Sequence, residues 1–174
     1  NIPVLRAILG ISWFWLVGAT FLAQFPNYTK DVLRGDETVV TLLLTCFTIG
    51  IAIGSMLCNR LLRGVISRRY VPHAAVGMAI SILLLCAASS LAVSPPEGTD
   101  YFSATQWLAY AESWVILSLM VLIAVCGGVY IVPLYAIMQE KSDPESRARS
   151  VAANNILNAL FMVLSALAAI ALLQ

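Results

Sequence analysis

The sequence predicts an all-α protein, a polytopic bundle of about five transmembrane helices in a single domain spanning residues 1–174, on three observations. Apolar residues make up 60% of the chain and charged residues only 11%, whereas soluble domains carry about 25% charged residues. Long apolar stretches recur at 8–25, 39–57, 74–93, 114–138 and 151–173. Each meets or approaches the ~20 residues with which a helix crosses a hydrocarbon core of about 30 Å. The loops between them are short, and their basic residues favour alternate loops.

The first span, 8–25, is long for a signal-peptide core, and Gln24, Phe25, Pro26, Asn27 and Tyr28 follow it instead of a small-residue cleavage site. It is therefore expected to stay in the membrane. Pro26, Gly35, Asp36 and Glu37 punctuate the loop that follows, with Thr38 as the expected N-cap of the second helix. The second span holds Gly50 and Gly54, spaced i, i+4 and extended by Cys58. Small residues at that spacing let a neighbouring backbone come close, so this face is expected to pack. The third span, 74–93, ends at Ser94, Pro95, Pro96, Glu97 and Gly98, a helix-breaking run. Tyr101, Trp107, Tyr110 and Trp114 cluster before the fourth span, where the amphipathic rings of Tyr and Trp favour the membrane interface. The segment 101–112 is expected to lie along the surface. Gly127, Gly128 and Pro133 predict a bend in the fourth span, because proline removes an intrahelical hydrogen bond. Ser142 or Asp143 is expected to cap a new helix with Pro144 at its first position, leading into the fifth span.

Eight of the ten basic residues (Arg6, Arg60, Arg63, Arg68, Arg69, Lys141, Arg147 and Arg149) fall on one side if the spans alternate. Short loops rich in Lys and Arg stay in the cytoplasm. This places the N-terminus in the cytoplasm and residue 174 outside.

Catalytic signatures are absent: there is no glycine-rich phosphate loop, no G-x-S-x-G and no H-E-x-x-H. His73 is the lone histidine, and Cys46, Cys58, Cys86 and Cys126 lack C-x-x-C spacing. No enzymatic activity, metal or cofactor is expected. The arginines at 60–69 adjoin a span, so topology and anionic lipid headgroups explain them better than nucleic acid does.

Polar side chains inside a bilayer are costly and face other helices or a water-filled path. Asn154, Asn155 and Asn158 occupy the first turns of the fifth span at i, i+3 and i, i+4 spacing, which groups them on one face. They either tie two helices together or line a pathway. Gln24, Asn27 and Tyr28 form a second polar group at the outer end of the first span. Tyr130, Tyr135 and Gln139 follow in the fourth. No acid or base lies in the middle of a span, so no proton-coupling carboxylate is visible.

Ser55, Met56, Leu57, Cys58, Asn59, Arg60, Leu61, Leu62 and Arg63 resemble the major facilitator loop pattern G-x-L-a-D-r-x-G-r. Ser55 stands at its first glycine, Asn59 at its aspartate and Leu62 at its second glycine. Residues 144–148 resemble the P-E-x-R-g pattern between the fourth and fifth helices of a half. More narrowly, 127–139 and 152–158, with Ser12–Trp15 and Gln24–Tyr28, look like the lysophospholipid transporter family. The resemblance is particularly to the transporter region fused to acylglycerophosphoethanolamine acyltransferase and acyl-carrier-protein synthetase domains. It implies helices seven to eleven of a twelve-helix transporter, with the N-terminal half and twelfth helix lying outside this sequence. The implied partners are lysophospholipid, chiefly lysophosphatidylethanolamine, the membrane lipids, the other transporter half and a fused or associated acyltransferase, in a bacterial inner membrane. On this resemblance the first and fourth spans line a central path, helped by the second and fifth, while the third packs outside. Gln24, Asn27, Tyr130, Tyr135, Asn154, Asn155 and Asn158 become candidate substrate contacts. Asn59, Arg60, Arg63, Pro133 and Arg147 become candidate gating or structural residues. Transport of another amphipathic solute, or a non-transporting anchor for acyltransferase domains, are the alternatives.

Overall fold

A computed structural model describes residues 1–95 and 100–173. Six α-helices follow in order: α1 (Ile2–Asn27), α2 (Glu37–Leu62), α3 (Val71–Ser89), α4 (Ala104–Trp107), α5 (Ala111–Lys141) and α6 (Arg147–Leu173). Five of them, all but α4, are long and apolar enough to cross a membrane. Even the 19 residues of α3 extend about 28 Å at 1.5 Å per residue, close to one hydrocarbon core. No β-strand forms among the described residues; the one isolated bridge joins Gly35 to Phe102.

The helices overrun most of the apolar stretches because hydrogen bonding continues past the first charged residue. Three helix ends differ from the sequence expectation. Pro26 does not close α1. The Tyr28 N–H donates to the Gln24 and Phe25 carbonyls, so the ladder resumes past the proline, and the Thr29 hydroxyl donates to the Phe25 carbonyl at 2.8 Å. The chain then winds through a π-helical turn at Tyr28–Val32. Second, α3 stops at Ser89, four residues short of the predicted end. The N–H groups of Ser90, Leu91 and Ala92 turn back to carbonyls three residues earlier. Pro96, Glu97 and Gly98, part of the predicted break, lie outside the described residues. Third, Ser142 and Asp143 do not cap a helix begun by Pro144. The Ser142 hydroxyl instead donates to the Met138 carbonyl at 2.6 Å. Asp143 closes a turn, accepting from the Ser146 N–H at 2.9 Å, and α6 begins at Arg147.

The N-cap of α2 is Asp36 rather than Thr38. Its Oδ1 accepts from the Thr38 N–H at 2.8 Å, the Thr38 hydroxyl at 2.6 Å and the Val39 N–H at 3.3 Å. Thr38 serves the cap from the second helical position. The Thr38 hydroxyl, and then the two backbone donors, hold the Asp36 carboxyl below the usual carboxylate range. A depressed folded-state value means that this stabilisation is complete above the unfolded pKa and is lost as pH falls through the folded one. Asp36→Ala should cost about 1 kcal/mol. Asp36→Asn should keep the cap and remove its acid sensitivity. Thermal unfolding in detergent between pH 3 and 7 checks both.

The bundle is organised around α5, which packs against α1, α2 and α3, while α6 packs almost entirely on α1. Its core is two clusters. One joins Val4, Ile8 and Ile11 of α1 to Tyr130, Leu134 and Met138 of α5. The other joins Phe25, Leu33, Val39 and Leu43 to Ile116, Met120 and Ile123, beneath Phe102 and Trp107. Trp107, predicted at the interface, is buried under the loops, whereas Trp114 is exposed and its Nε1–H donates to the Leu108 carbonyl at 2.9 Å.

Loop pairing fixes the two ends of the bundle. The Asp36 N–H donates to the Phe102 carbonyl at 2.8 Å and the Phe102 N–H to the Arg34 carbonyl at 2.7 Å. The loop after α1 therefore shares an end with the loop before α5. At the opposite end the Asn1 amide donates to the Lys141 carbonyl at 2.6 Å. The alternation expected from loop charge is thus present in the path of the chain.

The Gly50–Gly54 face of α2 meets α5. A Cβ on Gly50 would lie 2.7 Å from the Ala124 Cβ, one on Gly128 would lie 2.5 Å from the Ile51 carbonyl oxygen, and one on Gly54 would overlap the Val125 carbonyl. Cys58 is buried at the end of the same stripe. Helix α5 continues through Pro133, whose ring is fully buried.

Candidate functional site

Two neighbouring cavities give the bundle its candidate site. One, of about 240 Å³, lies between α1 and α2 over α5 and is lined by Phe14, Trp15, Gly18, Phe21, Phe47 and Thr48, among others. The second, of about 290 Å³, lies between α1, α3 and α5, where Thr20, Phe21, Gln24, Tyr28, Cys86 and Met120 contribute. Phe21 borders both. The two cavities follow α1 from Phe14 to the start of the π-helical turn at Tyr28, about 20 Å of helix. The first exists because α1 and α2 barely touch and because Gly18 contributes no side chain: a Cβ there would meet nothing within 4 Å.

The walls are aromatic. Phe21 stacks on Phe47 with centroids 6.5 Å apart, and Phe14 stacks on Tyr130 at 6.1 Å, within the range at which such pairs attract. Polar groups mark the ends. At one end the Trp15 Nε1–H donates to the Tyr135 hydroxyl at 3.1 Å. At the other, Gln24 accepts from the Asn27 amide at 3.3 Å, and the Tyr28 and Ser89 hydroxyls pair at 2.7 Å. These polar groups are paired within the protein and the lining of this two-cavity slot is itself almost wholly apolar, which suits the hydrocarbon chain of an elongated amphiphile.

The candidate contacts from sequence therefore divide. Gln24 lines the slot, Asn27 adjoins it from an exposed position, and Tyr135 holds Trp15 at its rim. Tyr130 stacks on a wall residue, but its hydroxyl donates to the Gly10 carbonyl at 3.2 Å and locks α5 to α1. The asparagines do not share one face. Asn154 and Asn158 are turned into the bundle, where Asn158 Oδ1 accepts from the Ser12 hydroxyl at 2.9 Å; Asn155 is exposed. The tie between helices is what the structure contains. The Thr20 and Ser165 hydroxyls, 2.6 Å apart, repeat it farther along. Asn154 Oδ1 is buried without a partner among the described residues.

Asn59, Arg60 and Arg63 are exposed at the end of α2, and none of their side chains makes a hydrogen bond or ion pair among the described residues. They form no charge-assisted clamp among the described residues, because Asn59 brings no carboxylate and residues 38–96 contain no acid. Arg147 is likewise exposed at the start of α6, and Pro133 is a packing residue of α5.

Sequence reasoning missed Ser12, Thr20 and Ser165 as tie residues, and Phe14, Gly18, Phe21 and Phe47 as slot residues. A signal for the first group was present: Ser12 and Thr20 lie eight residues apart in an apolar helix, and Asn158 and Ser165 seven, so each pair shares a face. Nothing comparable marks the aromatics, which fill cores as readily as slots.

A Ser12/Asn158 double-mutant cycle to Ala should give a coupling of about 0.6 kcal/mol, with ~1.7 kcal/mol as the upper bound for such bonds in membranes. Thermal unfolding of the single and double variants measures it, and additive effects would show that the bond contributes nothing.

A family model described as Major Facilitator Superfamily matches residues 1–166. No curated protein and no solved structure matches the chain.

Proposed function

Because the chain belongs to the Major Facilitator Superfamily, a family of secondary membrane transporters, we propose that it carries lysophospholipid, chiefly lysophosphatidylethanolamine, across a bacterial inner membrane for reacylation. The supporting observation is the pair of apolar cavities along α1, which share Phe21 and run past Gly18, with Gln24 and Tyr28 towards one end and Trp15 and Tyr135 towards the other. A single-chain lipid needs such an apolar wall for its tail. The motif resemblance to lysophospholipid transporters supports the same substrate class. In this proposal a second transporter half packs against the bundle, and an acyltransferase, fused or associated, consumes the product; α3, expected to pack outside, walls one of the two cavities. The N-terminus lies in the cytoplasm on the strength of the basic residues at 60–69 and 141–149. An Ala148→Cys thiol that reacts with an impermeant reagent from outside would reverse that orientation.

Uptake of labelled lysophosphatidylethanolamine into liposomes holding the full-length protein tests the substrate. Saturable uptake, displaced by other lysophospholipids and not by an alkyl maltoside of equal chain length, is the expected result. Equal displacement by the maltoside would leave an amphiphile transporter of another substrate class. No uptake, with acylation in cells still dependent on this region, would make it an anchor.

A further inference from the structure

The loop joining α2 to α3 carries a surface that the transport reading leaves unused. Arg60, Arg63, Arg68 and Arg69 fall within ten residues, all exposed. Asn59 stands where the resembled loop pattern has an aspartate, and no acidic residue occurs from Thr38 to Pro96. The other loop at this end offers Glu140, Asp143 and Glu145, but the single ion pair among the described residues is Glu140 with its neighbour Lys141, at 3.4 Å. Four guanidinium groups are thus presented in one loop with no ion-pair partner among the described residues.

The backbone gives these groups an apolar companion. Arg63 ends α2 in the left-handed region at φ 49°, Gly64 follows at φ 75°, and the Val65 N–H closes the turn on the Leu62 carbonyl at 2.9 Å. Val65 and Ile66 stand at its tip, 67% and 44% exposed. The returning strand is braced: the Ser67 hydroxyl accepts from the Arg69 N–H at 3.3 Å, and the Arg69 guanidinium lies 5.8 Å from the centre of the Tyr70 ring. Arginines and bare aliphatic side chains therefore alternate in one short loop between two membrane-spanning helices.

We propose that this loop is a docking surface for anionic phospholipids of the bilayer in which the protein sits, distinct from the transported lipid. Guanidinium binds phosphate through paired, directional hydrogen bonds. The loop's position between α2 and α3 holds it at headgroup level. Val65 and Ile66 decide between a lipid surface and an acidic soluble partner. In lipid they enter the acyl boundary while the arginines stay with the phosphates; against a highly charged soluble surface they gain nothing. The missing carboxylate at Asn59 leaves the arginines free for this lipid phosphate.

Native mass spectrometry of the delipidated full-length protein, titrated with phosphatidylglycerol or phosphatidylcholine of identical chains, tests the proposal without reading transport. The wild type should retain phosphatidylglycerol preferentially. Arg63→Gln/Arg68→Gln/Arg69→Gln should abolish the preference, each arginine contributing about fivefold, the equivalent of ~1 kcal/mol. Asn59→Asp leaves every arginine in place but supplies a competing carboxylate beside Arg60 and Arg63, and should lower phosphatidylglycerol occupancy about fivefold. A preference unchanged in either variant, or equal retention of the two lipids by the wild type, overturns the proposal.

Discussion

Gly18→Leu will leave the fold intact and, on the proposed substrate, reduce lysophospholipid uptake by roughly 5- to 150-fold. Gly18 lines the slot between α1 and α2, and a Cβ at this position meets nothing within 4 Å. The leucine therefore enters empty space rather than a packed seam. Within the helix the change is favourable, since glycine costs about 0.5–1 kcal/mol relative to a good helix former. Its effect falls on the ligand. A lipid tail arriving from the bilayer loses no water on entering the slot, so room and contact decide its binding. Forcing a chain past an added isobutyl group resembles overpacking, at about 1–3 kcal/mol, which gives that range of fold-change. Shorter-chain lysolipids should be affected least. Unchanged uptake of every chain length, with an unchanged melting temperature, would show that the tail does not pass Gly18.

Gly54→Val should instead destroy the bundle. The added Cβ would coincide with the Val125 carbonyl of α5, a backbone group that cannot rotate aside. Separating the helices would also strip Gly50 from Ala124 and Gly128 from Ile51, at the most extensive helix pair in the molecule. The expected loss is at the upper end of overpacking, about 3 kcal/mol or more. It would be read as the disappearance of the monodisperse peak in size-exclusion chromatography. Gly10→Ala is the control, because the nearest atom to its Cβ is the flexible Leu134 Cδ1, at 3.0 Å. A Gly54→Val protein that remains monodisperse and melts like the parent would refute the close approach.

The contrast between these two glycines shows where sequence was informative. Gly54 was legible because Gly50 and Cys58 share its face at helical spacing, and two small residues one turn apart have a packing consequence. Gly18 has no such companion, and its value depends on a gap between α1 and α2 that no local pattern encodes. The five spans were legible because bilayer thickness imposes their length. Their ends were not, since Pro26 is bridged by donors from Tyr28, and Ser142 bonds backward to Met138 instead of forward. The asparagines were half legible. A helix turns about 100° per residue, so Asn154 and Asn155 point in different directions, and only the position of α1 selects which one is buried. Whether such a residue binds a lipid or another helix is a property of its neighbours in space.

The reliance of α6 on α1 also has a consequence in time. Thr20 and Ser165, which pair across this seam, are 145 residues apart. At a synthesis rate of about 5–20 residues per second, α1 is made roughly 7 to 30 s before its partner. Throughout that interval Ser12 has no Asn158 to accept its hydrogen bond. The face of α1 that ends as a helix seam must therefore begin as a surface tolerated by lipid or by the insertion machinery, and its hydroxyls are small enough for either.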